Sequence, residues 1–131
     1  MYELTVEARF SAAHAIMISG TREPVHGHDW LVTATIAGDE LDADGLLCDF
    51  HTVEDTLKNI VRPFRSMNLN EVAPFDTVNP TAELVAKHIF DELHDRLDAA
   101  LAPHATVRSV RVTEAPGCAA TYVNRSAAGR G

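Results

Sequence analysis

The chain is poor in the features that would suit it to a membrane, a nucleic acid or an oxidising compartment. Cys48 and Cys118 are its two cysteines. Both read as small buried hydrophobes, and so few thiols fit a reduced, cytoplasmic setting. Basic residues are scarce, 11 Lys and Arg against 19 Asp and Glu for a formal charge of −8. That balance argues against a nucleic-acid or anionic-membrane surface. No apolar run is long enough to span a bilayer, no internal repeat is visible, and Met1 leads straight into a strand pattern without a signal-like segment. With 131 residues, 46% hydrophobic and 23% charged, the expectation is one globular domain over 1–125 and a flexible small-residue tail over 126–131.

What the chain does have is His26-Gly27-His28 at the opening of an apolar run. On a strand, residues i and i+2 share a face, so these two imidazoles can serve one ion. A third follows by register. From Tyr2 to His14 the even positions are apolar (Leu4, Val6, Ala8, Phe10, Ala12) and the odd ones mostly polar, which reads as a half-buried strand ending on His14. The run from about His28 to Ala37 keeps the same parity through Trp30, Val32, Ala34 and Ile36. If the two strands pair antiparallel, His14 falls opposite or next to His28. Three neutral histidines suit zinc and leave a fourth position open, the catalytic arrangement, although iron, nickel or copper would accept the same ligands. A lone histidine would more often be an ordinary polar residue at a strand end.

The remaining elements follow from start and stop signals. A first helix begins near Asp49–Thr52, with Val53, Leu57, Ile60 and Val61 as its buried stripe, and ends at Pro63. Residues 65–79 carry no strong periodicity and read as a long loop, a length that is more often functional than not. A second helix opens with Asn79 as cap and Pro80 at the first helical position, buries Val85, Ile89, Leu93 and Leu97, and closes at Pro103. Strands over Thr106–Glu114 and about Ala119–Asn124 flank the turn Ala115-Pro116-Gly117. The order ββααββ predicts an α+β fold, a four-stranded antiparallel sheet with two helices on one face. Its sheet edges would be unpaired in a monomer, which favours oligomerisation.

Five stretches together resemble the 6-pyruvoyl-tetrahydropterin synthase and 6-carboxy-tetrahydropterin synthase family of the tunnelling fold: Phe10-Ser11-Ala12-Ala13-His14, His26-Gly27-His28, Cys48-Asp49-Phe50, Asn79-Pro80-Thr81-Ala82-Glu83 and Val112-Thr113-Glu114. The resemblance covers nearly the whole chain. It implies a catalytic zinc on His14, His26 and His28, and a pterin anchored by Glu114, whose carboxylate can accept two hydrogen bonds from the amino-pyrimidine edge. Without it, Glu114 reads as a solvent-facing charge at a strand end. It also implies a homo-oligomer, a trimer or a hexamer. Thr81 and Thr113 are candidate supporting hydrogen-bond donors to the substrate.

The chain departs from the family at its proton-transfer groups. Arg22 stands where the usual cysteine lies, four residues before the His-Gly-His, and Phe64-Arg65-Ser66-Met67-Asn68-Leu69-Asn70 lacks the usual Asp-His pair. Glu23 lies three residues before His26 and resembles the branch of the family in which glutamate replaces that cysteine. An ordinary exposed loop glutamate is the alternative. As a base, Glu23 would serve a zinc-dependent lyase acting on the side chain of 7,8-dihydroneopterin or its triphosphate, by retro-aldol cleavage. His51 is a substitute proton shuttle, and Arg22 and Arg65 are candidate cations for a phosphorylated substrate. His88, His94 and His104 read as surface. The competing readings are a zinc-containing pterin-binding protein without turnover, and related chemistry on another purine-derived substrate.

Overall fold

The computed structural model describes residues 1–125, so the tail expected to be flexible lies outside the described residues. The alternating stripe of the N-terminal segment forms β1 (Tyr2–His14). Two short strands, β2 (Met17–Ile18) and β3 (Thr21–Arg22), make a separate hairpin beyond it. The chain then returns as β4 (His26–Gly38), antiparallel to β1 in unbroken register from Tyr2 opposite Gly38 to His14 opposite His26. This register keeps the two apolar rows on one face, where Phe10 and Trp30 stack with centroids 5.9 Å apart.

Helix α1 (Phe50–Val61) is capped by Asp49, whose carboxylate accepts the His51 N–H at 2.8 Å, and it buries Val53, Leu57, Ile60 and Val61 as the periodicity requires. Pro63 does not stop the chain's helical course. It sits in a 3-10 turn over Arg62–Phe64, where a missing N–H costs nothing. Segment 65–79 holds β5 (Met67–Asn68) and a second 3-10 turn over Leu69–Glu71. Helix α2 (Ala82–Leu101) is capped by Thr81, whose hydroxyl accepts the Leu84 N–H at 3.1 Å. The expected cap, Asn79, is two residues too early because its side chain is committed elsewhere.

The chain closes with β6 (Thr106–Ala115) and β7 (Cys118–Val123). The sheet order is β5-β1-β4-β6-β7. The four long strands are antiparallel as expected. A fifth is added because Met67–Asn68 pairs parallel to Ala12–Ala13, and a two-residue strand carries no period to be read. Both helices cover one face, α1 against β1 and α2 against β6 and β7, enclosing a continuous core around Trp30, Val32, Leu57, Ile89 and Val110.

Gly38 ends β4 against the turn that follows α2. A Cβ there would overlap the His104 carbonyl oxygen and lie 2.8 Å from Leu47 Cδ1. Gly38→Ala is therefore expected to lower stability by about 1–3 kcal/mol through overpacking. Gly27→Ala, where a Cβ meets nothing within 4 Å, should stay within about 0.5 kcal/mol of the parent. Urea midpoints of the two variants check both values.

Several polar residues sit differently from expectation. His88 is half-buried, wedged against Phe64 and Phe75 with centroids 5.7 and 5.4 Å away, and burial lowers its pKa. His94 stacks on Phe90, while His104 is exposed as read. Cys118 is exposed and Cys48 only half-buried, so neither is the buried hydrophobe expected. Burial and Asp49 raise the Cys48 pKa, which keeps that thiol unreactive.

Candidate metal centre

Three inward-facing rows of the sheet end at one place. On β1 the row Phe10, Ala12 finishes with His14; on β4 the row Trp30, His28 finishes with His26; on β6 the row Val110, Val112 is followed by Glu114. His14 lies directly opposite His26, with His28 opposite Ala12 and so diagonal to His14. The three imidazole centroids are 4.7, 5.1 and 4.6 Å apart, with rings steeply inclined to one another. Glu114 falls at an irregularity between Thr113 and Ala115, where two β6 residues stand against one step of β7. Bulges of this kind re-aim a side chain beside functional sites. Glu114 points at the histidines and is not the solvent-facing charge that its position alone would suggest.

The hydrogen bonds select the tautomers. His14 Nδ1–H donates to the Pro80 carbonyl at 2.8 Å, and His26 Nδ1–H to the Pro24 carbonyl at 3.0 Å. In neutral rings this leaves each Nε2 as a lone pair, the usual outer support of a metal-binding histidine. All three Nε2 atoms face Glu114 Oε1, at 2.8 Å from His14, 3.0 Å from His28 and 3.9 Å from His26. The His14 contact is a hydrogen bond; the His28 contact is close but makes none, and among the described residues His28 Nε2 is a buried polar atom without a hydrogen-bond partner. Lone pairs converging on a carboxylate repel unless a cation lies among them, whether a shared proton or a metal ion.

The donor set fits a metal. One ligand atom from each of His14, His26, His28 and Glu114 lies within 4.8 Å of the others, compatible with Zn–N and Zn–O distances of about 2.0–2.2 Å after small adjustments. Burial, the largest influence, lowers the His28 pKa; Glu114 and Glu23 oppose it, and His14 and His26 add to it. The ring is thereby kept in its neutral, ligating form.

Other residues singled out from the sequence are distributed unevenly around this centre. Glu23 is half-buried, with Oε1 3.7 Å from His26 Nδ1 and accepting the Ile16 N–H at 3.1 Å. Thr81 caps α2 directly after Pro80, which holds His14. Exposed Arg22 lines a cavity of about 190 Å³ with Asn70, Asn79 and Pro80. Among the described residues no hydrogen bond, ion pair or ring contact joins His51, Arg65 or Thr113 to the histidines; His51 and Arg65 are exposed.

Two features had no sequence signal. A larger cavity of about 490 Å³ opens beside His28, walled by Ser11, Gly27, Asp29, Ser66 and Asn68. Ser66 lines it with a positive φ of 60°, a strained conformation for a residue with a Cβ. Asn70 and Asn79 grip the backbone just after His14.

Residues 3–125 match the family described as 6-pyruvoyl tetrahydropterin synthase. A curated relative, the 6-carboxy-5,6,7,8-tetrahydropterin synthase of Bacillus subtilis (strain 168), is 36% identical over 128 residues, covering 92% of this chain and 84% of its own. Among solved structures, the Caenorhabditis elegans 6-pyruvoyl tetrahydropterin synthase superposes with a TM-score of 0.78 at 23% identity, covering 95% of this chain and 97% of that one. A Plasmodium vivax 6-pyruvoyltetrahydropterin synthase, solved as a mutant of a catalytic glutamate, gives 0.75 at 21% identity over 94% of this chain and 97% of its own.

Proposed function

This chain belongs to the 6-pyruvoyl tetrahydropterin synthase family, and from that premise we propose that it is a zinc-dependent lyase acting on the side chain of 7,8-dihydroneopterin or its triphosphate. The observation that carries the reading is the convergence of three Nε2 atoms, two of them oriented by backbone carbonyls, on one carboxylate oxygen.

His14, His26 and His28 would hold the zinc, which when bound supplies Lewis acidity to the hydroxyls of the side chain. Glu114 binds the amino-pyrimidine edge and fixes the ring. Glu23 is the base. It takes the proton of the C2′ hydroxyl; that oxygen becomes a carbonyl, the C1′–C2′ bond breaks, and its electron pair runs through C6 to N5. Reprotonation leaves a 6-hydroxymethyl dihydropterin and a two-carbon aldehyde. A glutamate is a catalytic residue in the Plasmodium vivax synthase, so a carboxylate in this role is compatible with the fold.

With a triphosphate, Arg22 and Arg65 are the candidate cations, and His51 is the second proton carrier. The protein would act in the cytoplasm as a homo-oligomer: among the described residues β7 is an edge strand, and β1 has no partner on its outer side except at Ala12–Ala13. Among the described residues, no helix is long and apolar enough to cross a membrane.

The test is a product assay of the zinc-loaded protein with 7,8-dihydroneopterin and its triphosphate, resolving 6-hydroxymethyl, 6-carboxy and 6-pyruvoyl products. Zinc-dependent release of the 6-hydroxymethyl compound is expected. Tight pterin binding without any zinc-dependent product would instead leave the binding protein, the reading that the missing cysteine and Asp-His pair favour.

A further inference from the structure

β1 ends at His14, and among the described residues the next three have no sheet partner beyond the short β2–β3 hairpin. Their backbone groups are nevertheless all engaged, by three side chains or backbones from elsewhere. Ala15 N–H donates to Asn70 Oδ1 at 2.8 Å, and Asn70 Nδ2 donates back to the Ala15 carbonyl at 2.8 Å. Ile16 N–H donates to Glu23 Oε1 at 3.1 Å, and its carbonyl accepts the Glu23 N–H at 3.0 Å. Met17 N–H donates to Asn79 Oδ1 at 2.8 Å, and Asn79 Nδ2 returns a bond to the Met17 carbonyl at 2.9 Å.

A primary amide presents one donor and one acceptor side by side, so each asparagine acts as a one-residue strand partner. Asn70 is itself braced, its N–H donating to Asn68 Oδ1 at 3.1 Å. Asn79 immediately precedes Pro80, whose carbonyl receives the His14 Nδ1–H. The clamp therefore reaches the metal centre twice, through the backbone beside His14 and through Glu23.

We infer that Asn70 and Asn79 are positioning residues of the metal centre, holding His14 and Glu23 in ligating and reacting geometry by clamping the backbone of residues 15–17. The inference rests on the metal-site reading above. The two clamps differ in strength. Ala15 is only 1% exposed, so water cannot replace a lost Asn70, whereas Met17 at 44% exposure can recruit solvent. Asn70→Asp keeps an acceptor for Ala15 N–H but turns a carboxylate toward the Ala15 carbonyl, and it does not rescue.

The experiment is a Co²⁺ titration of the metal-free protein, followed through the visible absorption of the bound ion, with folding of each metal-free variant measured separately by urea unfolding. Asn70→Ala is expected to weaken Co²⁺ binding by about 10–100-fold, the range for losing outer support of a ligand, with altered band positions. Asn79→Ala is expected to lose about three- to tenfold, and Asn70→Asp to resemble Asn70→Ala. Affinity and spectrum within about twofold of wild type in folded Asn70→Ala would overturn the inference; should that variant not fold, the same threshold applies to Asn79→Ala. A wild-type protein that binds no Co²⁺ would overturn the metal-site reading as well, an outcome distinct from equal binding by all variants.

Discussion

Replacement of His14 by alanine is expected to eliminate stoichiometric zinc binding and to lower turnover of the pterin substrate by at least about a hundredfold, since the lost metal chemistry amounts to several kcal/mol. His14 is the most buried of the four groups, at 1% exposure, and its ring touches His26, His28 and Trp30. Removing it takes away one of three imidazoles and frees the Pro80 carbonyl that oriented it. Losing a ligand should exceed the 10–100-fold penalty typical of losing only its outer support. Metal content after dialysis checks the first part, and the product assay the second. Retention of one zinc per chain would show that the histidines are not the ligands.

Acidity should act in the same direction. The folded-state pKa values of His28 and His88 lie below the ordinary value of 6.5, mainly through burial. The unfolded chain therefore takes up protons first as pH falls. The stability contributed by keeping these rings neutral is complete above 6.5 and is lost as pH falls from there through the depressed values. Urea midpoints of the metal-free protein should drop over that window. An unchanged midpoint between pH 7.5 and 5.5 would contradict it.

The parts of the site that sequence could reveal are those in which the local pattern and the tertiary partner agree. The even-numbered row of β1 placed His14 on the core side, and β4 had the same parity, so convergence followed from strand period alone. The register agrees with that reading: His14 meets His26 directly and lies diagonally next to His28, since the pairing runs to the last residue of β1. The stripe of α1 and its Asp49 cap were equally legible because both are local. Asn79 shows the opposite case. Its composition fits a helix cap, yet a bidentate grip on Met17 outcompetes that role and passes the cap to Thr81. β5 and the Asn70 clamp depend on partners 55 residues apart, which no local pattern encodes. Glu114 continues the parity of Val110 and Val112, but the irregularity at which it sits against β7 is not encoded in that period.

Glu23 supplies the last prediction, because two roles meet on one carboxylate. As the base of the proposed cleavage it should contribute about 10²–10⁴-fold to the rate. As part of the backbone clamp it accepts the Ile16 N–H at 3.1 Å. Glutamine separates the two: its amide oxygen can still accept that hydrogen bond, but it cannot take a proton from a hydroxyl. Glu23→Gln is therefore expected to retain zinc affinity within about threefold and to lose at least about a hundredfold in kcat, with KM changing far less. Glu23→Ala should lose both, since Ile16 N–H is then left without its acceptor and the backbone beside His14 loosens. The comparison is decisive because Glu23 lies on the Nδ1 side of His26, 3.7 Å away, whereas the Nε2 atom proposed as the ligand points toward Glu114. A carboxylate placed there can support the ligand shell without touching the substrate. If Glu23→Gln turns over at nearly the parent rate while Glu23→Ala fails in zinc binding, Glu23 is a clamp residue and the proton must go to another group. A kcat collapse confined to chemistry, with metal and fold intact in Glu23→Gln, would assign the base.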